Sequence, residues 1–226
     1  DRLELPSGQL KSAMQGGKVE LQHLALDLGN AGSFDLNGFL DIGDAWALRD
    51  LKLSLNVPDM DAPLFSALWP NWAAPKTREW VINNVLAGRV RASKISIAAD
   101  LGASKGVQKV HNVEGDVRIR DADLAWSENA DNLTNVDADL YWNNDEFSAS
   151  ISNGRIGSVS VQRGRVTIAP VLARVEKDVN VTIYARGGVS DALDIARQVG
   201  MSKFGSFDLN DIEANKYPSI DEQTEK

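Results

Sequence analysis

The chain has 226 residues, with 24 Lys and Arg against 32 Asp and Glu, for a net charge of −8. That length can bury about 70–75 % of the unfolded surface, and that charge repels phosphate backbones at long range, so nucleic acid is not an expected partner. Cysteine is absent, which excludes disulfides, thiolate metal sites and cysteine nucleophiles. No stretch reaches the roughly 18 apolar residues of a membrane-spanning helix.

From Leu10 to Val57 the pattern is one of strands, because apolar residues recur at every second position. Val19 and Leu21 follow one phase and Leu24, Leu26 and Leu28 the other, which predicts a bulge near His23. Gly29, Asn30, Gly32 and Asn37-Gly38 supply turn chemistry between Phe34, Leu36, Leu40 and Ile42. Leu51, Leu53, Leu55 and Val57 alternate cleanly up to Pro58. Residues 1–60 therefore read as a β-meander.

A helical insertion is expected over 61–88. Asp61 can cap a short helix from Ala62 to Leu68, stopped by Pro70. Pro75 suits the first position of a second helix, whose stripe of Val81, Ile82, Val85 and Leu86 is expected to pack on a sheet until Gly88 closes it. Trp69, Trp72 and Trp80, with Pro70 and Pro75, are read as a plug or anchor, Trp80 or Trp69 completing the seal.

Strands resume over 89–188. Ile95, Ile97, Ala99 and Leu101 share one face, then Val117 and Ile119, then Val136, Ala138, Leu140 and Trp142. Phe147, Ala149 and Ile151 follow, then Val159 and Val161, Val166 and Ile168, and last Val179, Val181 and Ile183. A short helix is expected within 189–200, capped by Ser190, and a polar tail or fragment boundary over 201–226. Gly32-Ser33-Phe34-Asp35-Leu36-Asn37 recurs identically as Gly205-Ser206-Phe207-Asp208-Leu209-Asn210, and Gly-Arg-Val or Gly-Arg-Ile opens apolar alternation at Gly88, Gly154 and Gly164. The chain starts at Asp1 rather than Met, which suggests a segment excised from a longer protein.

Catalytic chemistry finds little support. His23 and His111 are the two histidines, neither near a second one, and no Gly-x-Ser-x-Gly elbow or phosphate-binding glycine loop occurs. The acidic stretch Asp121, Asp123, Glu128, Asp131, Asp137 and Asp139 admits a calcium loop or a glycosidase carboxylate pair. Its alternation with Val136 and Ala138 fits the wet face of a strand better.

The expected fold is mainly β: an elongated antiparallel meander sheet with two or three short helices. These helices cannot cover its apolar face, so the sheet must close into a barrel, pair into a sandwich, or curl into a half-pipe whose lining accepts an apolar ligand.

The segment Leu68-Trp69-Pro70-Asn71-Trp72-Ala73-Ala74-Pro75-Lys76-Thr77-Arg78-Glu79-Trp80-Val81, with Gly88-Arg89-Val90, resembles the signature of the AsmA-like superfamily of bacterial envelope proteins. The Gly115-Asp116-Val117 strand, the Gly154-Arg155-Ile156 turn and the run from Ala185 to Leu193 resemble it too, covering roughly residues 1–200. The family's N-terminal membrane helix has no counterpart in this sequence. The resemblance implies an inner-membrane-anchored protein of the Gram-negative periplasm, without catalytic residues or cofactor, whose β groove carries phospholipid acyl chains between the two membranes. The groove candidates are then Leu51, Leu53, Leu55, Ile95, Ile97, Val117, Ile119, Leu140, Ile151, Val159, Val161, Val166, Ile168, Val181 and Ile183. Other envelope proteins are possible partners. The rival readings are an assembly scaffold that pairs with client β strands through a sheet edge, and a glycan-acting enzyme using the acidic stretch.

Overall fold

A computed structural model describes residues 7–42, 48–69, 75–102, 106–125, 131–169, 178–191 and 194–195. Ten strands follow one another in a single antiparallel sheet, in spatial order identical to chain order. They are β1 (Ser7–Gln15), β2 (Lys18–Asp27), β3 (Gly32–Ile42), β4 (Leu48–Asp61), β5 (Val85–Gly102), β6 (Gly106–Leu124), β7 (Leu133–Trp142), β8 (Phe147–Ile156), β9 (Val159–Ala169) and β10 (Asp178–Arg186). The sheet does not close on itself: β1 pairs only with β2 and β10 only with β9 among the described residues. Of the three ways to bury the apolar face, the open curled groove is the one adopted.

Two helices, α1 (Ala62–Leu68) and α2 (Pro75–Asn84), interrupt the meander between β4 and β5. The second helix ends four residues before Gly88, and Val85 and Leu86 open β5 instead. Val85 is buried as part of the strand, whereas Ile82 and Leu86 are exposed, so the expected four-residue stripe is not a helix face. Among the described side chains of α2, only Val81 joins Val85 in the core. Trp80 is 48 % exposed and seals nothing; Arg78 Nε instead donates to the Trp69 carbonyl at 2.7 Å, tying α2 to the end of α1. Pro70 and Trp72 lie outside the described residues. Residues 189–191 and 194–195 are helical.

Two turn expectations also change. Pro58 does not end β4, because it lies where the β3–β4 register slips between Ser33 and Asp35, a bulge that needs no N–H from it. Asn37-Gly38 sits inside β3, where a side chain at residue 38 would meet the Lys52 carbonyl. The bulge expected near His23 is present, with the β2–β3 register slipping between Leu21 and Leu24.

The inward-facing residues reveal how the sheet bends. Each of β4 to β9 interrupts its period-two alternation with a three-residue step in its middle or at its start: Val57 to Met60, Val90 to Ser93, Ile119 to Ala122, Leu133 to Val136, Ile151 to Gly154, and Val161 to Gly164. Ala92, Asp121 and Asn135 take positive φ at three of these steps. Bulges bend a strand and increase its twist, so aligned bulges crease the sheet along one line. Many of the most deeply buried side chains lie on it: Val57, Met60, Val90, Ser93, Ala122, Val136 and Val161 are each at most 2 % exposed.

Candidate functional site

Cross-strand pairing builds the site from single residues. Leu10 pairs with Leu24, Leu24 with Leu36, Leu36 with Leu55, Leu55 with Ile95, and Ile95 with Gly115. Gly115 pairs with Trp142, Trp142 with Phe147, Phe147 with Ile168, and Ile168 with Val179. One row thus crosses all ten strands with apolar side chains everywhere but Gly115, and there the Trp142 indole occupies the space a Cβ would take. At about 4.8 Å per strand the row is roughly 43 Å long. A neighbouring row runs through Val117, Leu140, Ala149, Val166 and Val181, and another through Met60, Val90, Ile119, Ala138, Ile151, Gly164 and Ile183.

The groove candidates separate by depth. Leu51, Val117, Val159 and Val161 are buried, packed beneath the surface a ligand would touch. Leu53, Leu55, Ile95, Ile97, Ile119, Leu140, Ile151, Val166 and Ile168 are half-buried and open on one side. Val181 and Ile183 stand exposed on the terminal strand. Over β4 and β5 the apolar face is partly covered by α1, whose Leu64 and Phe65 pack on the cluster of Leu28, Val57, Met60, Val90 and Val117. Trp142, which its alternation with Leu140 puts on the apolar face but which is not among the groove candidates, lines the row by lying over Gly115.

Polar groups hold the crease in place. Ser93, fully buried, donates from Oγ to the Arg91 carbonyl and accepts from the Arg118 amide at 3.0 Å, replacing the ladder bonds lost at that bulge. Asp137 accepts the Asp121 amide and Asp123 the Asn135 amide, both at 3.1 Å. Arg120 donates to the Ala138 carbonyl at 3.1 Å and to Asp139 at 2.7 Å. The acidic stretch is therefore not merely solvated: two of its carboxylates serve bulge amides. Asp123→Ala or Asp137→Ala should destabilise the chain by about 0.5–1.5 kcal/mol, while the Asn variants, which keep an acceptor oxygen, stay near wild type. Urea midpoints of the four variants check this.

Arg89 anchors the helical insertion. It forms ion pairs with Asp59 and Asp61 and donates to the Asn30 carbonyl at 3.1 Å. Its hydrogen bond to Asp59 holds that carboxyl below its ordinary value against partial desolvation, and the same bond raises the guanidinium. Asp61 occupies the N-cap of α1 without capping through its side chain, because its carboxylate serves Arg89 at 2.5 Å. Among the described residues no group of three His, Asp or Glu is placed to hold a metal.

Fold and site define a class: an open, one-faced antiparallel meander with an apolar track running across every strand. Comparison with protein-family models, with characterised proteins and with solved structures finds no match.

Proposed function

We propose that this chain is part of a passive lipid conduit, in which phospholipid acyl chains lie along the apolar rows while headgroups project to water. The observation that carries the reading is the row from Leu10 to Val179, continuous over ten strands and open on one side. Its length of about 43 Å exceeds the roughly 30 Å hydrocarbon thickness of a whole bilayer, so an acyl chain fits within it with room to advance. Burying methylenes is worth about 0.8 kcal/mol each, and a row of similar apolar side chains holds a chain about equally well at successive positions. Movement then needs no catalytic step and no cofactor. The resemblance to the AsmA-like superfamily supports a place in the Gram-negative periplasm, bridging inner and outer membranes, with the inner-membrane anchor outside this sequence.

The test is irradiation of the chain with vesicles of a phospholipid carrying a diazirine on one acyl chain, followed by peptide mapping. Labels are expected on Leu53, Leu55, Ile95, Ile97, Val166 and Ile168. Equal labelling of outward residues such as Lys52, Arg118 and Arg165, or no labelling at all, sinks the proposal.

A further inference from the structure

The outer face of β8 to β10 carries cations without acids, in a chain whose net charge is −8. On β5 and β6, Arg89, Arg91, Arg118 and Arg120 each meet an aspartate. Arg155, Arg163, Arg165 and Arg186 have no acidic partner among the described residues, and the stretch 147–169 holds no Asp or Glu.

The register puts these arginines on one side of the sheet. Gly154 and Ile156 face inward, so Arg155 between them faces outward, and Gly164 and Val166 fix Arg165 in the same way. Arg155 pairs with Ser160 and Ser160 with Arg186, which makes one outward row; Ser150, Arg165 and Thr182 make another. Between the rows, the Arg163 guanidinium carbon lies 4.0 Å from the centre of the Tyr184 ring. All four arginines are exposed. Two strand spacings and five residues of β9 give the patch a size of about 10 by 17 Å. The carboxylates that border it are engaged: Asp139 by Arg120, Asp137 by the Asp121 amide and Asp191 by the Ser158 hydroxyl. Asp41 and Asp50 of the outer face stand on β3 and β4, about 19 Å or more from β8, beyond the screening length of about 8–10 Å.

We propose that the outer face of β8 to β10 docks on an anionic phospholipid bilayer, with its arginines on the headgroup phosphates. Phosphate oxygens suit the guanidinium fork, and a headgroup layer presents them across the whole patch without needing a matching pocket. A protein partner would rely on buried aromatic or apolar anchors, whereas hydroxyls separate these arginines and Tyr184 already stacks on Arg163. Tyrosine also suits a membrane–water interface. The acidic remainder of the chain is repelled by the same surface, which orients the molecule with this end on the membrane. The apolar rows lie on the opposite face, so docking and acyl carriage use different residues and can fail separately.

The experiment sediments the 226-residue chain with vesicles of phosphatidylcholine, alone and mixed with phosphatidylglycerol, over a series of salt concentrations. Binding should be tighter to the mixed vesicles and should fall as salt rises. Arg163→Ser with Arg165→Ser should weaken it about thirty-fold, for two cations at roughly 1 kcal/mol each, and Arg155→Ser with Arg186→Ser should do the same. Lys11→Ser with Lys52→Ser removes equal charge from exposed positions on β1 and β4 and should change binding by no more than about two-fold. Circular dichroism checks that each variant is folded, and acyl-chain labelling on pure phosphatidylcholine reads the groove independently. Equal binding to both kinds of vesicle, no binding, indifference to the arginine substitutions, or an equal loss from the lysine pair overturns the proposal. Tighter binding to polyglutamate than to the mixed vesicles overturns it in favour of an acidic polypeptide.

Discussion

Met60→Asp is expected to abolish folding, whereas Leu53→Asp should fold and lose acyl-chain labelling. Met60 is 0 % exposed and packs with Leu28, Val57, Ala62, Val85 and Val90 at the crease. A carboxylate there has no partner, since Arg89 is engaged by Asp59 and Asp61, and an uncompensated buried charge costs several kcal/mol. Domains of this kind have about 5–15 kcal/mol in total, so the variant has little or nothing left. Leu53 is half-buried in the open row between Gly38 and Ile97. Its carboxylate can stay hydrated while making the track hostile to hydrocarbon. Circular-dichroism melts and diazirine labelling of both variants separate the cases. If Leu53→Asp unfolds as completely as Met60→Asp, the face is a closed core and the conduit reading fails.

The strand syntax was legible because period-two alternation survives in every strand, and so was α1 from Ala62 to Leu68. The curl was written in the same residues but in a form that short windows hide. Val159 and Val161 lie on odd positions and Val166 and Ile168 on even ones; both pairs can face the same space only if the strand between them steps by three. The same change of phase separates Ile119 from Ala122 and Val57 from Met60. Read as one pattern, these slips call for a line of bulges; read strand by strand, they look like strand ends. The second helix failed for a related reason. Val81, Ile82, Val85 and Leu86 fit helical spacing, but Val85 pairs with Leu124 in the sheet, and tertiary pairing overrides a weak local period. Trp142 over Gly115 and the β10 arginines depend on which strands become neighbours, which no local pattern states.

Gly88→Ala should be the most damaging single methyl in the chain's Gly-Arg-Val motif, well beyond the effect of removing the Arg89 side chain. Gly88 has φ +125°, and a Cβ there would lie 2.8 Å from the Cα and 2.9 Å from the Cβ of Ala122. Ala122 is 1 % exposed on the crease, so it cannot retreat without moving its bulge. Backbone strain of about 1–3 kcal/mol adds to overpacking of about 1–3 kcal/mol, which lowers the melting temperature by about 5–15 °C in a chain of this size. Arg89→Ala releases Asp59 and Asp61, but the Asp carboxylates are about half exposed and solvent screens much of the loss. Its signature lies in pH. Because Arg89 lowers the Asp59 value from an ordinary 3.8, the pair's contribution is full above that value and is lost as pH falls through the lower folded-state value. Wild type and Arg89→Ala should therefore converge in stability under acid and diverge towards neutrality, while the Gly88→Ala deficit persists at every pH. A Gly88→Ala deficit that vanished in acid together with the ion pair would mean that the glycine only positions Arg89 and that the crease tolerates the extra methyl.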